Sequence, residues 1–314
     1  MNSCDKYVYN KNHYIDMSGG GNSTNSKIKI IIDDPKYKYV EYYGRNILHV
    51  ANNMDDDKLN ENSEFMIGSI SKVFTGVIIL MLEHLKLLSY HDNIDKYIDS
   101  NEFNNFSGIT IHDVLRHFAG FINWLPHGVV KHKKVSSSNE ALKIMMQKEL
   151  ITKEKGKKSY SSMGFLVLGA IIENVTNMKY IDVVKKYILT PCDMKNTGLG
   201  EPDVILYKKE GNKDGLLLSK EDNFDKYMVN AGGGMYSSIN DMIKFSTKLP
   251  KLLHSRTDYF RKCYGYYNDN GLDTIRHNGS INGGLAEFSV SYTKKWKIKK
   301  ITIKFSTNVA TLPI

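Results

Sequence analysis

Residues 65–82 read FMIGSISKVFTGVIILML, and the organisation of the chain follows from them. Helical positions three apart share a face, so Ser69 and Lys72 present a hydroxyl and an amine side by side at a helix start. Among residues 73–82 only Thr75 carries a polar side chain, and a helix that is apolar nearly all round is a buried one. Burial favours the neutral form of a lysine, which can then accept a serine proton. Backbone N–H groups at the helix start favour a developing oxyanion. Gly68, just before the serine, allows another stretch of backbone to approach closely. The same S-x-x-K spacing occurs at Ser3/Lys6, Ser26/Lys29 and Ser291/Lys294. None of those is followed by a buried helix, and each reads as a capping serine near a surface lysine. At Ser69 the context favours chemistry.

The other 296 of the 314 residues are ordinary in composition: across the whole chain 41% are hydrophobic and 25% charged, which excludes wholesale disorder and collagen-like architectures. The longest unbroken apolar stretch is residues 77–82, far below the roughly 20 residues that span a bilayer. No secretory signal is readable in the polar residues 1–14, so a cytoplasmic location is expected. The cysteines, Cys4, Cys192 and Cys263, are odd in number and widely spaced. They form neither a disulfide framework nor a thiolate zinc motif. A net charge of +9 permits an acidic partner without requiring one.

Working outward, residues 1–26 read as a flexible tail, with SGGGNSTNS at 18–26 as a polar linker. Strands are expected at 27–32 and 38–43, around a turn at Asp33, Asp34 and Pro35. Residues 52–62 read as an acidic loop. Helices are expected at 111–116, with Thr110 as N-cap, and at 138–148, 162–176, 180–189 (ending before Pro191) and 240–248. Gly232, Gly233 and Gly234 mark a turn, and strands return at 288–292 and 297–306. The fold class is therefore α+β. A sheet lobe of about residues 27–90 and 230–314 is built from both chain ends, and a mainly helical lobe of about 91–229 is inserted within a single domain, 27–314. Period-two alternation gives the strands one apolar and one polar face. The apolar set is expected to pack on the Ser69 helix and the polar set to be solvated. Trp296 and Ile298 fall on the opposite parity from Ile301 and Ile303, which predicts a bulge near Lys299 and Lys300.

Two further stretches carry reactive groups. Tyr160, Ser161 and Ser162 follow the basic run 153–158 and precede an apolar helix; a tyrosine near a lysine can serve as acid or base. His277, Asn278, Gly279 and Ser280 precede the strand at 288–292. There Gly279 would let a substrate lie along the backbone, and the Ser280 N–H could point into a site. Alone, each would read as a capping tyrosine and a surface histidine.

Taken in order, S-x-x-K, then Y-x-[NS], then H-x-G resemble the serine β-lactamase and penicillin-binding-protein superfamily, in its class C-like branch of D-alanyl-D-alanine carboxypeptidases, D-aminopeptidases and esterases. The resemblance extends to ITIHDVLRHFAG at 109–120, YSSMGFLVLG at 160–169, LTPCDMKNT at 189–197 and AGGGMYSSINDMIKF at 231–245. It covers about residues 27–308. It implies a β-lactamase/transpeptidase-like fold and a serine hydrolase acting through an acyl-enzyme on an ester, D-peptide or β-lactam-type carbonyl. Ser69 would be the nucleophile, with Lys72 and Tyr160 moving its proton. Ser162 would bond Lys72 or the substrate. The Ser69 and Ser280 N–H groups would form the oxyanion hole beside Gly279, and His277 would support Tyr160 or bind a carboxylate. No cofactor is implied. The chain departs from the pattern in Ser162, where many members have Asn, and in His277, which replaces the lysine of true class C β-lactamases and is usual in the peptidase and esterase members; the family's long C-terminal helix is expected to be missing. Ser162 and the shortened C-terminal part motivate the alternative of a catalytically inactive binding or structural protein, and the presence of Ser69, Lys72, Tyr160 and His277 argues against it.

Ten histidines raise the question of a metal. His112 and His117 are wrongly spaced for one helix face, and His127 and His132 sit among lysines, so no metal site is expected. The basic clusters 131–134, 153–158 and 294–300 match no nucleic-acid motif and read as solvated faces. The expected partner is a small-molecule or peptide substrate, with no nucleic acid and no membrane span, for a monomer or weak dimer.

Overall fold

The computed structural model describes residues 27–34, 37–43, 60–99, 106–123, 135–145, 155–204, 207–210, 217–220, 229–281 and 284–307. The proposed tail 1–26, the histidines His127 and His132, and the basic run 131–134 lie outside them, as does most of the 52–62 loop.

The central apolar segment divides into three pieces. A short strand, β3 (Phe65–Met66), leads into a 3-10 turn, Gly68–Ile70, and then into the α-helix α1 (Ser71–His84). Every residue of α1 from Ser71 to Leu80 is buried. Two strands precede it, β1 (Lys27–Asp34) and β2 (Tyr37–Tyr43).

The helical part follows as α2 (Ile111–Leu115), α3 (Ser138–Met145), α4 (Met163–Thr176), α5 (Tyr180–Val184) and α6 (Thr190–Cys192). Thr110 caps α2 through a reciprocal bond with Asp113, as its sequence predicts. The expected stop before Pro191 does not occur. Residues Lys185–Leu189 wind as a π-turn that carries the chain into α6 with Pro191 in its first turn, where a missing N–H costs nothing. The stop comes at Asp193, in the left-handed region at φ 54°.

The chain then forms β4 (Gly198–Leu199), β5 (Tyr207–Glu210), β6 (Leu217–Lys220), α7 (Asn230–Gly233), β7 (Met235–Ser237), α8 (Ile239–Leu252) and α9 (Thr257–Lys262). It closes with β8 (Tyr266–Asp269), β9 (Leu272–Ile281), β10 (Gly284–Tyr292) and β11 (Ile298–Thr307).

The main sheet is antiparallel in the order β2-β1-β11-β10-β9-β8, so the first strands lie beside the last. A smaller sheet, β3-β7-β4, holds the approach to Ser69. The alternation of β10 is observed: Ala286, Phe288, Val290 and Tyr292 are buried, while Glu287, Ser289 and Ser291 are partly exposed and Leu285 is exposed. On the outer side Lys304 pairs with Glu287 at 2.6 Å. Ser291 faces Lys300 but Tyr292 faces Ile298, which leaves Lys299 unpaired as a bulge.

The inner face packs differently from the sequence expectation. Phe245 of α8 stacks on Phe74 of α1 at 4.6 Å and meets Phe288 at 6.1 Å, so α8 intervenes between α1 and the sheet. The Tyr292 hydroxyl donates to the Ser246 carbonyl, which ties β10 to the same helix. The sheet meets the Ser69 segment at the 3-10 turn instead.

Candidate active site

Ser69 sits on the 3-10 turn, and the turn is held from two sides. The Ile67 N–H donates to the Met235 carbonyl at 3.0 Å, extending the β3–β7 pairing. The Ser71 hydroxyl donates to the Gly68 carbonyl at 2.6 Å and accepts from the Met235 N–H at 3.2 Å. Gly68 has φ +49°, and a β-carbon there would lie 2.8 Å from the Ser280 nitrogen. The backbone that approaches Gly68 is therefore that of β9. A β-carbon on Gly279 would lie 1.9 Å from the Ile67 carbonyl oxygen. Gly279 thus admits the nucleophile segment itself, and a side chain there would part β9 from the turn.

Four of the side chains identified from sequence converge. Lys72 Nζ lies 2.9 Å from Ser69 Oγ, 3.0 Å from Ser162 Oγ and 2.5 Å from the Gly232 carbonyl oxygen. The Tyr160 hydroxyl donates to Ser69 Oγ at 2.8 Å. Lys72 is 0% exposed, and burial holds its amine well below the usual lysine range. Tyr160, at the mouth, has its phenol pushed up by burial despite its hydrogen bonds to Ser69, Ser162 and Tyr264, so it is protonated at neutral pH. Ser162, just before α4, turns its hydroxyl to Lys72 and donates its N–H to Asn123 Oδ1 at 3.2 Å. The Gly232 carbonyl comes from α7, whose Ala231 carbonyl accepts from the Thr75 hydroxyl of α1 at 2.7 Å.

His277 lies within the strand β9, with both ring nitrogens engaged. Nε2 lies 2.7 Å from the Tyr264 hydroxyl and Nδ1 2.6 Å from the Asn278 carbonyl oxygen. Burial depresses its pKa to about 4, so it is neutral at pH 7. Its ring stands 6.2 Å from that of Tyr160. Ser280 is exposed on the same strand.

Sequence reasoning gave no role to two neighbours. His117, buried behind Tyr160 with ring centroids 4.6 Å apart, lies 3.0 Å through Nε2 from the Tyr264 hydroxyl. His117 was within reach, because it lies in the 109–120 stretch that carries the family resemblance. Tyr264 gave no local signal; it follows α9 in a stretch whose neighbours are set by strand pairing. Among the described residues no group of three His, Cys, Asp or Glu side chains could hold a metal, and no helix is long and apolar enough to cross a membrane.

The model of the Beta-lactamase family matches residues 29–279 of the chain. Penicillin-binding protein 4* of Bacillus subtilis (strain 168) is 30% identical over 149 residues, covering 44% of this chain and 31% of that protein. The chain thus matches about a third of that relative's length. The teichoic acid D-alanine hydrolase of Staphylococcus aureus (strain MRSA252) is 25% identical over 334 residues, covering 93% of this chain and 79% of the relative. Among solved structures, a penicillin binding protein from Bacillus halodurans superposes with a TM-score of 0.70 at 17% identity, covering 90% of this chain and 91% of the other.

Proposed function

The chain belongs to the Beta-lactamase family, and from that premise we propose that it is a serine hydrolase acting through an acyl-enzyme on Ser69. The observation that carries this reading is the contact of Ser69 Oγ with both a buried amine and a protonated phenol, at 2.9 Å and 2.8 Å. A neutral amine has two N–H groups and one lone pair. At Lys72 the Gly232 carbonyl and Ser162 Oγ take the two hydrogens, and the lone pair remains for the Ser69 proton.

In acylation Ser69 Oγ attacks the substrate carbonyl carbon while its proton passes to Lys72. The Ser69 and Ser280 N–H groups receive the developing oxyanion. As the tetrahedral species collapses, Tyr160 gives its proton to the leaving oxygen or nitrogen and is reprotonated from Lys72. Deacylation reverses the roles: water loses a proton to the Lys72–Tyr160 pair, attacks the acyl carbon, and the proton returns to Ser69 Oγ. The net reaction consumes one water and releases an acid and an alcohol or amine.

The substrate class we propose is an ester or amide with a D-amino-acyl group, such as a D-alanyl ester, in preference to a β-lactam. Two points support it: the relative named for D-alanine hydrolysis spans 93% of this chain, and neutral His277 stands where true class C β-lactamases carry a lysine. In this proposal the site joins the two lobes, with the nucleophile turn lying against β9 of the sheet lobe and Tyr160 coming from the helical lobe. The test is mass spectrometry after exposure to a labelled fluorophosphonate. The expected adduct lies on Ser69 and is absent from Ser69→Ala. No adduct with fluorophosphonate or any activated ester would favour the inactive binding protein.

A further inference from the structure

Neither His117 nor Tyr264 takes part in the proton transfers just described, yet together they link Tyr160 to His277. We propose that His117 and Tyr264 are positioning residues of the acyl-transfer site, closing a one-directional hydrogen-bond chain from the Ser161 N–H to the Asn278 carbonyl. This chain fixes His277 as its neutral Nδ1–H tautomer and commits the Tyr264 hydrogen to it, beside Tyr160.

The direction follows from the two ends, each a backbone group with one possible role. At one end the Ser161 N–H donates to His117 Nδ1 at 3.2 Å, so that nitrogen is bare. The hydrogen of neutral His117 is therefore on Nε2, which donates to the Tyr264 oxygen at 3.0 Å. At the other end the Asn278 carbonyl can only accept, so His277 carries its hydrogen on Nδ1, at 2.6 Å. Its Nε2 is then bare and needs a donor, and the Tyr264 hydroxyl, 2.7 Å away, is the one bonded to it. The two ends, solved independently, demand the same direction in the middle. Burial agrees, lowering the pKa of His117 to about 3 and that of His277 to about 4, so neither ring is charged at neutral pH.

Tyr264 also neighbours the Tyr160 hydroxyl, so the group that orients His277 lies beside the phenol that donates to Ser69. Tyr264 is itself seated on the nucleophile helix, since a β-carbon on Gly76 of α1 would lie 2.8 Å from Tyr264 Cβ. The chain is thus referenced to the element that carries Lys72. Both nitrogens of His277 are consumed within the protein, so the ring forms an uncharged wall and is not a carboxylate ligand.

The catalytic consequence rests on the acyl-transfer reading, but the tautomers are measurable without substrate. In the full-length protein with 15N-labelled histidine, long-range proton–nitrogen NMR at pH 7 should show His117 protonated on Nε2 and His277 on Nδ1, assigned by loss of signals in His117→Gln and His277→Asn. Tyr264→Phe should lower kcat for a p-nitrophenyl ester about tenfold, the scale of a misplaced rather than missing group. KM should stay within about twofold, and the His277 Nε2 resonance should shift. A His277 that is doubly protonated, or protonated on Nε2, overturns the chain. So does a Tyr264→Phe protein with wild-type kcat. If Tyr264→Phe does not fold, the wild-type spectrum decides by itself. Absence of labelling at Ser69 in the wild type would overturn the acyl-transfer reading and the positioning role with it, whereas wrong tautomers in a protein that does label overturn the chain alone.

Discussion

Replacing Lys72 with Met separates the lysine's chemistry from its cost to the fold. Lys72 is fully buried, and its pKa lies well below the usual lysine value because of that burial. Below the usual lysine pKa there is therefore a pH window in which the unfolded chain holds a proton that the folded chain lacks. Stability rises with pH wherever the unfolded state binds more protons. In the window between the folded pKa of Lys72 and about 10.4, wild-type stability should climb by about 1.4 kcal/mol per pH unit from this residue. Lys72→Met has no such titration. It instead orphans the Gly232 carbonyl, which otherwise accepts from Nζ at 2.5 Å, at a cost of about 1–3 kcal/mol. The variant should therefore lose stability relative to wild type as pH rises through that window. Its kcat should fall by about 10²–10⁴-fold, the scale for loss of an acid–base group. Urea denaturation of both proteins at pH 7, 8.5 and 10, with initial rates on an activated ester, measures both effects. A stability difference that stays constant across those pH values would mean that Lys72 is charged in the fold, and the neutral-base argument would fail.

Tyr160→Phe removes the phenol that donates to Ser69 Oγ; kcat should drop about 10²-fold with little change in KM, and near-normal turnover would take Tyr160 out of the mechanism. In Gly279→Ala the new methyl would lie 1.9 Å from the Ile67 carbonyl oxygen, so labelling of Ser69 should be lost and the melting temperature lowered; a fully reactive variant would contradict the packing of β9 on the nucleophile turn. The Glu173 carboxylate accepts from the backbone N–H groups of Ser138, Asn139 and Tyr180, anchoring α3 and α5, and Glu173→Ala should cost about 3 kcal/mol or more in urea denaturation, given about 1–3 kcal/mol per orphaned buried donor. Because His117 has a folded pKa of about 3, the unfolded state gains its proton first as pH falls below about 6.5; wild-type stability should decline between pH 6.5 and pH 4, and an equal decline in His117→Asn would remove His117 as a cause.

Local patterns determined a large part of this protein. The apolar run after Lys72 could only be a buried helix, because no polar face was left to solvate, and α1 is one. The alternation in β10 and the parity slip near Lys299 are also local, since side-chain direction along a strand has period two. The motif spacing carried the family and the residues around Ser69, because Ser69 and Lys72 lie on one turn and Tyr160 and Ser162 flank one helix start. Tertiary structure decided what depends on pairing across distance. The burial of β9 does not alternate cleanly: Asp273, Thr274 and Ile275 are buried in succession. No period-two signal marked it, and His277 by itself read as a surface residue ahead of the strand at 288–292. The interposition of α8 between α1 and the sheet was equally hidden, because the side chain of Phe245 fixes which helix meets which face only once both are folded. Tyr264 stands 147 residues from His117 and 13 from His277. No periodicity links such residues; they meet because strand pairing and the packing of Tyr264 on Gly76 bring three separate segments to one hydroxyl.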